Sequence, residues 1–159
     1  MKTPRALLLA CILAVGFTAQ ICGQTLTANR ISEIERQVDS IFLSMVKAAE
    51  NVDYDKISTG VDDRHNAGFI VNSTYYPKYA SMIDILKANL RSGTKQTISI
   101  RDKKITVLTE NIVLLTASGS SSVDLNNGQS FNVNFLWSFV YQRFNNKWKV
   151  IQSHQSQAN

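Results

Sequence analysis

The segment after Gly93 constrains the fold of this chain more than any other feature. Four β-rich stretches follow one another there: Thr97–Thr109, Asn111–Asp124, Gln129–Phe144 and Lys147–Ser156. Asn127-Gly128 and Asn145-Asn146 separate the last three as two-residue hairpin signals, because asparagine and glycine tolerate the positive φ that such turns demand. Long consecutive strands joined by tight turns make an antiparallel meander, and one face of such a sheet must be covered by something apolar. Asp102-Lys103 is read as an interruption of the first stretch.

The cover comes from the preceding residues. Ile31, Ile34, Val38, Ile41, Met45 and Ala48 recur at spacings of three and four, which predicts one helical face. Ser32-x-x-Glu35 has the form of a capping box, with Asn29 an alternative cap one turn earlier. A second, short helix is expected from Asp53-Tyr54-Asp55 to near Gly60, then a polar loop over 61–66. Ala67 to Tyr76 reads as a single strand ending at Pro77. Residues 78–91 are again helical, with Tyr79, Met82, Ile83, Leu86 and Leu90 on one side and Gly93 as the stop. The expected class is therefore α+β, with about three N-terminal helices packed on one side of a curved, mostly antiparallel sheet.

Residues 1–23 read as a secretory signal peptide: Lys2 and Arg5 precede the apolar run Ala6 to Phe17, and Cys22-Gly23 offers a small-residue exit. A single domain over 24–159 is then expected, in an exported protein, periplasmic or secreted. Leu8-Leu9-Ala10-Cys11 resembles a lipid-attachment box, but few apolar residues precede that cysteine, so a lipoprotein is the weaker reading. Cleavage after Gly23 removes both cysteines, and the core must stabilise the domain without a disulfide. Subtracting Lys2 and Arg5 from 17 basic residues leaves 15 against 12 acidic ones, a net charge of +3. With no concentrated basic block, nucleic acid is not an expected partner. No phosphate loop, zinc-cysteine pair or nucleophile elbow is present, and no metal or cofactor is expected.

Two tight turns would also fix register, and register decides which side chains share a face. If Asn145-Asn146 is a two-residue loop, Arg143 faces Trp148, Tyr141 faces Val150, Phe139 faces Gln152 and Trp137 faces His154. If Asn127-Gly128 is the other loop, Ser120 faces Phe135 and Ser118 faces Trp137. One sheet face then carries Phe135, Trp137, Phe139, Tyr141, Trp148 and Val150 together with Gln152, His154, Ser118 and Ser120. Burying those polar groups without partners would cost about 1–3 kcal/mol each. A pocket with aromatic walls and a few orienting polar groups resolves the conflict. The candidate ligand-binding set is Trp137, Phe139, Tyr141, Gln152, His154 and Ser118, with His154 the one weak catalytic candidate.

The element order and the ending Trp148-Lys149-Val150-Ile151-Gln152-Ser153-His154-Gln155-Ser156 resemble the nuclear transport factor 2-like superfamily, in its SnoaL-like and ketosteroid-isomerase-like branch of small bacterial proteins. The resemblance covers roughly Ile31 to Ser156. It implies a cone-shaped α+β barrel with an internal cavity, commonly a homodimer through the sheet. Ketosteroid isomerases use a tyrosine and two carboxylic acids inside the cone; the inferred face offers Tyr141 and no carboxylate nearer than Asp124. Dehydratase and cyclase relatives use a His–Asp pair, of which only His154 can be placed.

The remaining features read as structural. Asp62-Asp63-Arg64-His65 is the one carboxylate–imidazole cluster, and adjacent aspartates on a loop point into water. Trp148 is expected to lie over the first helix. Phe69, Tyr75 and Tyr76 are candidates to close the wall opposite Trp137, and Asn72-Ser73-Thr74 matches a glycosylation acceptor that matters only in a eukaryotic secretory pathway. Three functions remain: a binding module for a small, largely apolar molecule, a homodimeric association module, and an acid–base enzyme of isomerase, cyclase or dehydratase type using His154.

Overall fold

The structure, a computed structural model, describes residues 25–89, 93–125 and 128–158. The expected export segment with Cys11 and Cys22, together with Leu90 and Asn126-Asn127, lies outside the described residues.

Helix α1 spans Ala28–Glu50 and starts earlier than either expected cap, because the Thr27 hydroxyl accepts the Arg30 backbone N–H at 3.2 Å. Its buried stripe is Ile34, Val38, Phe42 and Ala48. Helix α2, Tyr54–Thr59, is capped by the Asp53 carboxylate and ends at Gly60. The expected strand 67–76 is in fact a tight hairpin, β1 (Phe69–Val71) and β2 (Thr74–Tyr76). Asn72 turns the chain there at φ 53°, a conformation that asparagine tolerates better than most residues. Its side-chain carbonyl then accepts the Gln157 N–H at 2.9 Å, so the acceptor-like asparagine has a structural task.

Helix α3, Tyr79–Asn89, begins where the Asp63 carboxylate accepts the backbone N–H groups of Tyr79 and Ala80, at 2.7 and 3.1 Å. Asp63 is thus a long-range cap and not a solvated loop residue. Strands β3 (Gly93–Thr109), β4 (Ile112–Leu125), β5 (Ser130–Phe144) and β6 (Lys147–Ala158) complete the chain. They form one curved, unclosed six-stranded sheet in the order β2-β1-β6-β5-β4-β3, antiparallel except where β1 runs parallel to β6. The interruption expected at Asp102-Lys103 is a bulge: pairing steps from Ile100 to Asp102, leaving Arg101 as the extra residue, and the strand continues. Ile34, Val38 and Phe42 of α1 and Tyr79, Met82 and Ile83 of α3 cover the inner sheet face.

The loop after α2 is pinned to β6. Asp62 N–H donates to the Val150 carbonyl and Val150 N–H to the Gly60 carbonyl, both at 2.8 Å. The Asp62 carboxylate also takes Arg64 at 2.6 Å, and that guanidinium pulls its pKa from an ordinary 3.8 down to about 2. Because the folded pKa is the lower one, the stabilisation is complete above the unfolded value and is lost as pH falls from about 4 through about 2. Arg64 is largely exposed, so solvent screening keeps the contribution to about 1 kcal/mol. Asp62→Asn should cost that much at neutral pH in urea unfolding, and the gap from the unaltered protein should narrow from about pH 4 downward. A gap independent of pH would assign the effect to packing instead.

Candidate functional site

Register places the polar residues, and it departs from the expectation on both sides of β5. On the β4 side, pairing ends at Asp124↔Ser130, so five residues lie between the last paired residues where two were expected. Trp137 therefore faces Ala117, Phe135 faces Gly119, and Ser118 faces Leu136. An odd change in pairing exchanges the two faces of a strand. Val113, Leu115, Ala117, Gly119, Ser121 and Val123 point inward, while Ser118 and Ser120 point outward.

On the β6 side, the expected pairs Arg143↔Trp148 and Tyr141↔Val150 are present. Beyond them the register shifts, because Ile151 is an extra residue between Val150 and Gln152. Gln152 then faces Val140, Ser153 faces Phe139, His154 faces Ser138 and Gln155 faces Trp137. The expected inward placement of Gln152, His154 and Ser118 is thus corrected: all three lie on the outer sheet face. His154 and Ser118 sit in an open groove of about 560 Å³ with Thr116, Leu136, Ser138 and Ser156. Ser118 there donates to the Asp102 carboxylate at 2.9 Å.

Trp137, Phe139 and Tyr141 do point inward. They form, with Phe131, Val133 and Phe135, one wall of a cavity of about 370 Å³ between the sheet and the helices. Phe42 and Met45 of α1 and Tyr79, Met82, Ile83 and Leu86 of α3 face them. The rings interlock: Phe135 stacks on Trp137 at 3.7 Å between centroids, and Trp137 meets Phe139 edge-on at 6.1 Å. The cavity is deepest near Tyr141 and Val150, which are 0 % and 1 % exposed, and opens towards Phe131 and Gln157.

Five polar side chains missed in the sequence line this space: Gln96, Ser121, Ser153, Gln155 and Gln157. Phenols of Tyr54, Tyr79 and Tyr141 join them, and burial pushes the pKa of each upward, so each stays a protonated hydroxyl at neutral pH. Among the described residues, the Tyr141 hydroxyl has only the Met45 sulfur as a hydrogen-bond partner, at 3.9 Å. No Asp, Glu, His, Lys or Arg is among the described lining residues. The described residues also contain no cluster of three His, Cys, Asp or Glu that could hold a metal ion, and no helix long and apolar enough to cross a membrane.

The other candidates fall into place around the cavity. Trp148 lies against α1 as expected, its indole N–H donating to Gln37 Oε1 at 3.0 Å. Phe69 is buried against Tyr79 and Tyr76 packs at the core margin, but Tyr75 is 60 % exposed. His65 stacks on Phe144 at 5.3 Å, away from the cavity lining.

Residues 38–159 match the profile of the SnoaL-like domain. This chain belongs to the SnoaL-like family. Solved structures agree on the fold. A nuclear transport factor 2-like superfamily protein from Salmonella enterica aligns with a TM-score of 0.72 at 13% identity, over 81% of this chain and 94% of its own. A hexachlorocyclohexane dehydrochlorinase, LinA-type3, from Novosphingobium barchaimii gives 0.69 at 11%, over 84% and 92%. A nuclear transport factor 2-like protein of unknown function from Shewanella oneidensis gives 0.60 at 12%, over 77% and 98%. At such identities the likeness concerns the fold alone. No curated protein matches the sequence. Within the SnoaL-like fold of this chain, the cavity and the outer groove are separate surfaces on opposite sides of β5.

Proposed function

We propose that this SnoaL-like protein is exported and holds a small, largely apolar molecule in its cavity without changing it chemically. The observation that carries the reading is the composition of the cavity wall: aromatic and aliphatic side chains with a few amides and hydroxyls, and no carboxylate or imidazole among the described lining residues. Apolar surface drives entry into such a space, and sparse polar groups set orientation. Proton transfer at neutral pH is served best by a group that titrates near neutrality, and burial moves the lining phenols further from it. His154, the residue an acid–base reading required, faces away from the cavity. The charged start and apolar run of residues 1–23 support export.

We further propose a homodimer through the outer sheet face, because Leu136 lies 57 % exposed within the groove there. Native mass spectrometry of the protein from its own host tests both readings at once. The expected spectrum shows twice the protomer mass, a start near Gln24, and an added small mass that leaves on denaturation. Nile red, a neutral apolar dye, should brighten on binding, and Trp137→Ala should weaken it about tenfold through lost ring contact. A ligand-free protein that leaves the dye dark would sink the binding role.

A further inference from the structure

Apart from tyrosines and Trp148, the only buried side chains with a polar group among the described residues are Ser121 and Ser153, 4 % and 1 % exposed. Both lie on the cavity wall, and each accepts a hydrogen bond from a glutamine amide: Gln96 to Ser121 at 2.9 Å and Gln155 to Ser153 at 3.2 Å. A serine that accepts still has a proton to donate, and a glutamine that donates still has its carbonyl oxygen. Among the described residues, the side chains of Ser153 and Gln155 make no other hydrogen bond. A buried donor left unmet is costly, and alanine would pack at that position of the sheet without it.

The pair is also well placed. Ser153 lies opposite Phe139 and Gln155 opposite Trp137, both pointing inward only because Ile151 bulges out of register. Ser153 belongs to the covered part of the cavity, while Gln157 lies at the exposed end. We propose that Ser153 and Gln155 form a polar station for the hydroxyl group of an alcohol or phenol whose apolar body rests against Trp137 and Phe139. The Ser153 hydroxyl donates to the ligand oxygen, and the Gln155 carbonyl accepts the ligand's proton. A carboxylate ligand is selected against, since no described lining residue offers a compensating cation and a buried unpaired charge is heavily penalised.

This inference rests on the binding role proposed above, so the test separates the two. Naphthalene, naphthol and naphthoate are titrated into the full chain by calorimetry at neutral pH. Naphthol should bind about tenfold tighter than naphthalene, the worth of a well-made hydrogen bond pair, and naphthoate no tighter than naphthalene. Ser153→Ala should cut the ratio of naphthol to naphthalene affinity by about that tenfold, and Gln155→Met should do the same from the other partner. Equal affinities in the unaltered protein, or a naphthol preference that survives both substitutions, overturns the station while the cavity keeps its role. Tightest binding of naphthoate overturns the selection for a neutral hydroxyl. Failure of all three to bind overturns the station and the binding role together.

Discussion

Gly119→Ala is expected to lower the unfolding free energy by about 3 kcal/mol, the upper part of the range for overpacking a core. The glycine lies in the middle of β4, opposite Phe135 on one side and Ile100 on the other. A Cβ there would overlap the Ser99 carbonyl oxygen and would stand 2.7 Å from the Phe135 ring. The first clash is with backbone, which has no rotamer to escape into. We attribute it to the bulge at Arg101, which bends β3 across its neighbour and would give the close approach and the curvature of the sheet one cause. The second clash would push Phe135 off Trp137 and narrow the cavity. For a domain of this size the midpoint of thermal unfolding should drop by roughly 10 °C. A calorimetric drop of under about 3 °C would mean that β3 moves aside easily, and the proposed link between bend and glycine would be wrong.

Trp148→Ala should be as damaging, at about 3–5 kcal/mol in urea unfolding. Trp148 is 4 % exposed, belongs to the main core cluster and ties β6 to α1 through the Gln37 side chain. Gln37 in turn donates to Glu33 at 2.6 Å, so the indole N–H is one link of a short chain along the helix surface. Trp148→Phe keeps most of the apolar area and loses that link, for an expected cost of about 1 kcal/mol beyond repacking. Equal losses for the two variants would show that the hydrogen bond outweighs the packing. Either substitution loosens α1, which supplies Phe42 and Met45 to the cavity.

Much of the fold was legible because it rests on local patterns. The apolar spacing of α1, the stop at Gly60 and the four long strands are written in hydrophobic periodicity and turn residues. The expected parity of β4, with Ser118 and Ser120 inward, is reversed: Val113, Leu115, Ala117 and Val123 face the core and alternate with Thr116, Ser118, Ser122 and Asp124. Turn geometry at Asn127-Gly128 pointed the other way, and the hydrophobic alternation prevailed, because a misplaced register would bury the polar set. The β1–β2 hairpin was hidden, since three-residue strands carry too little pattern to separate them from one longer strand. The cap that Asp63 supplies to α3 links residues 16 apart and leaves no local signature.

The end of β6 is where sequence alone stopped. After Ile151 every residue to Gln157 is polar, so no apolar alternation marks which side chains turn inward. Residue order determined that a long polar strand would close an α+β sheet lined by Trp137, Phe139 and Tyr141. Only the tertiary structure decided that Ser153 and Gln155, and not Gln152 and His154, complete that lining. The reason is physical: β6 must pair with β5 and with β1 at once, and one bulged residue reverses every side chain beyond it.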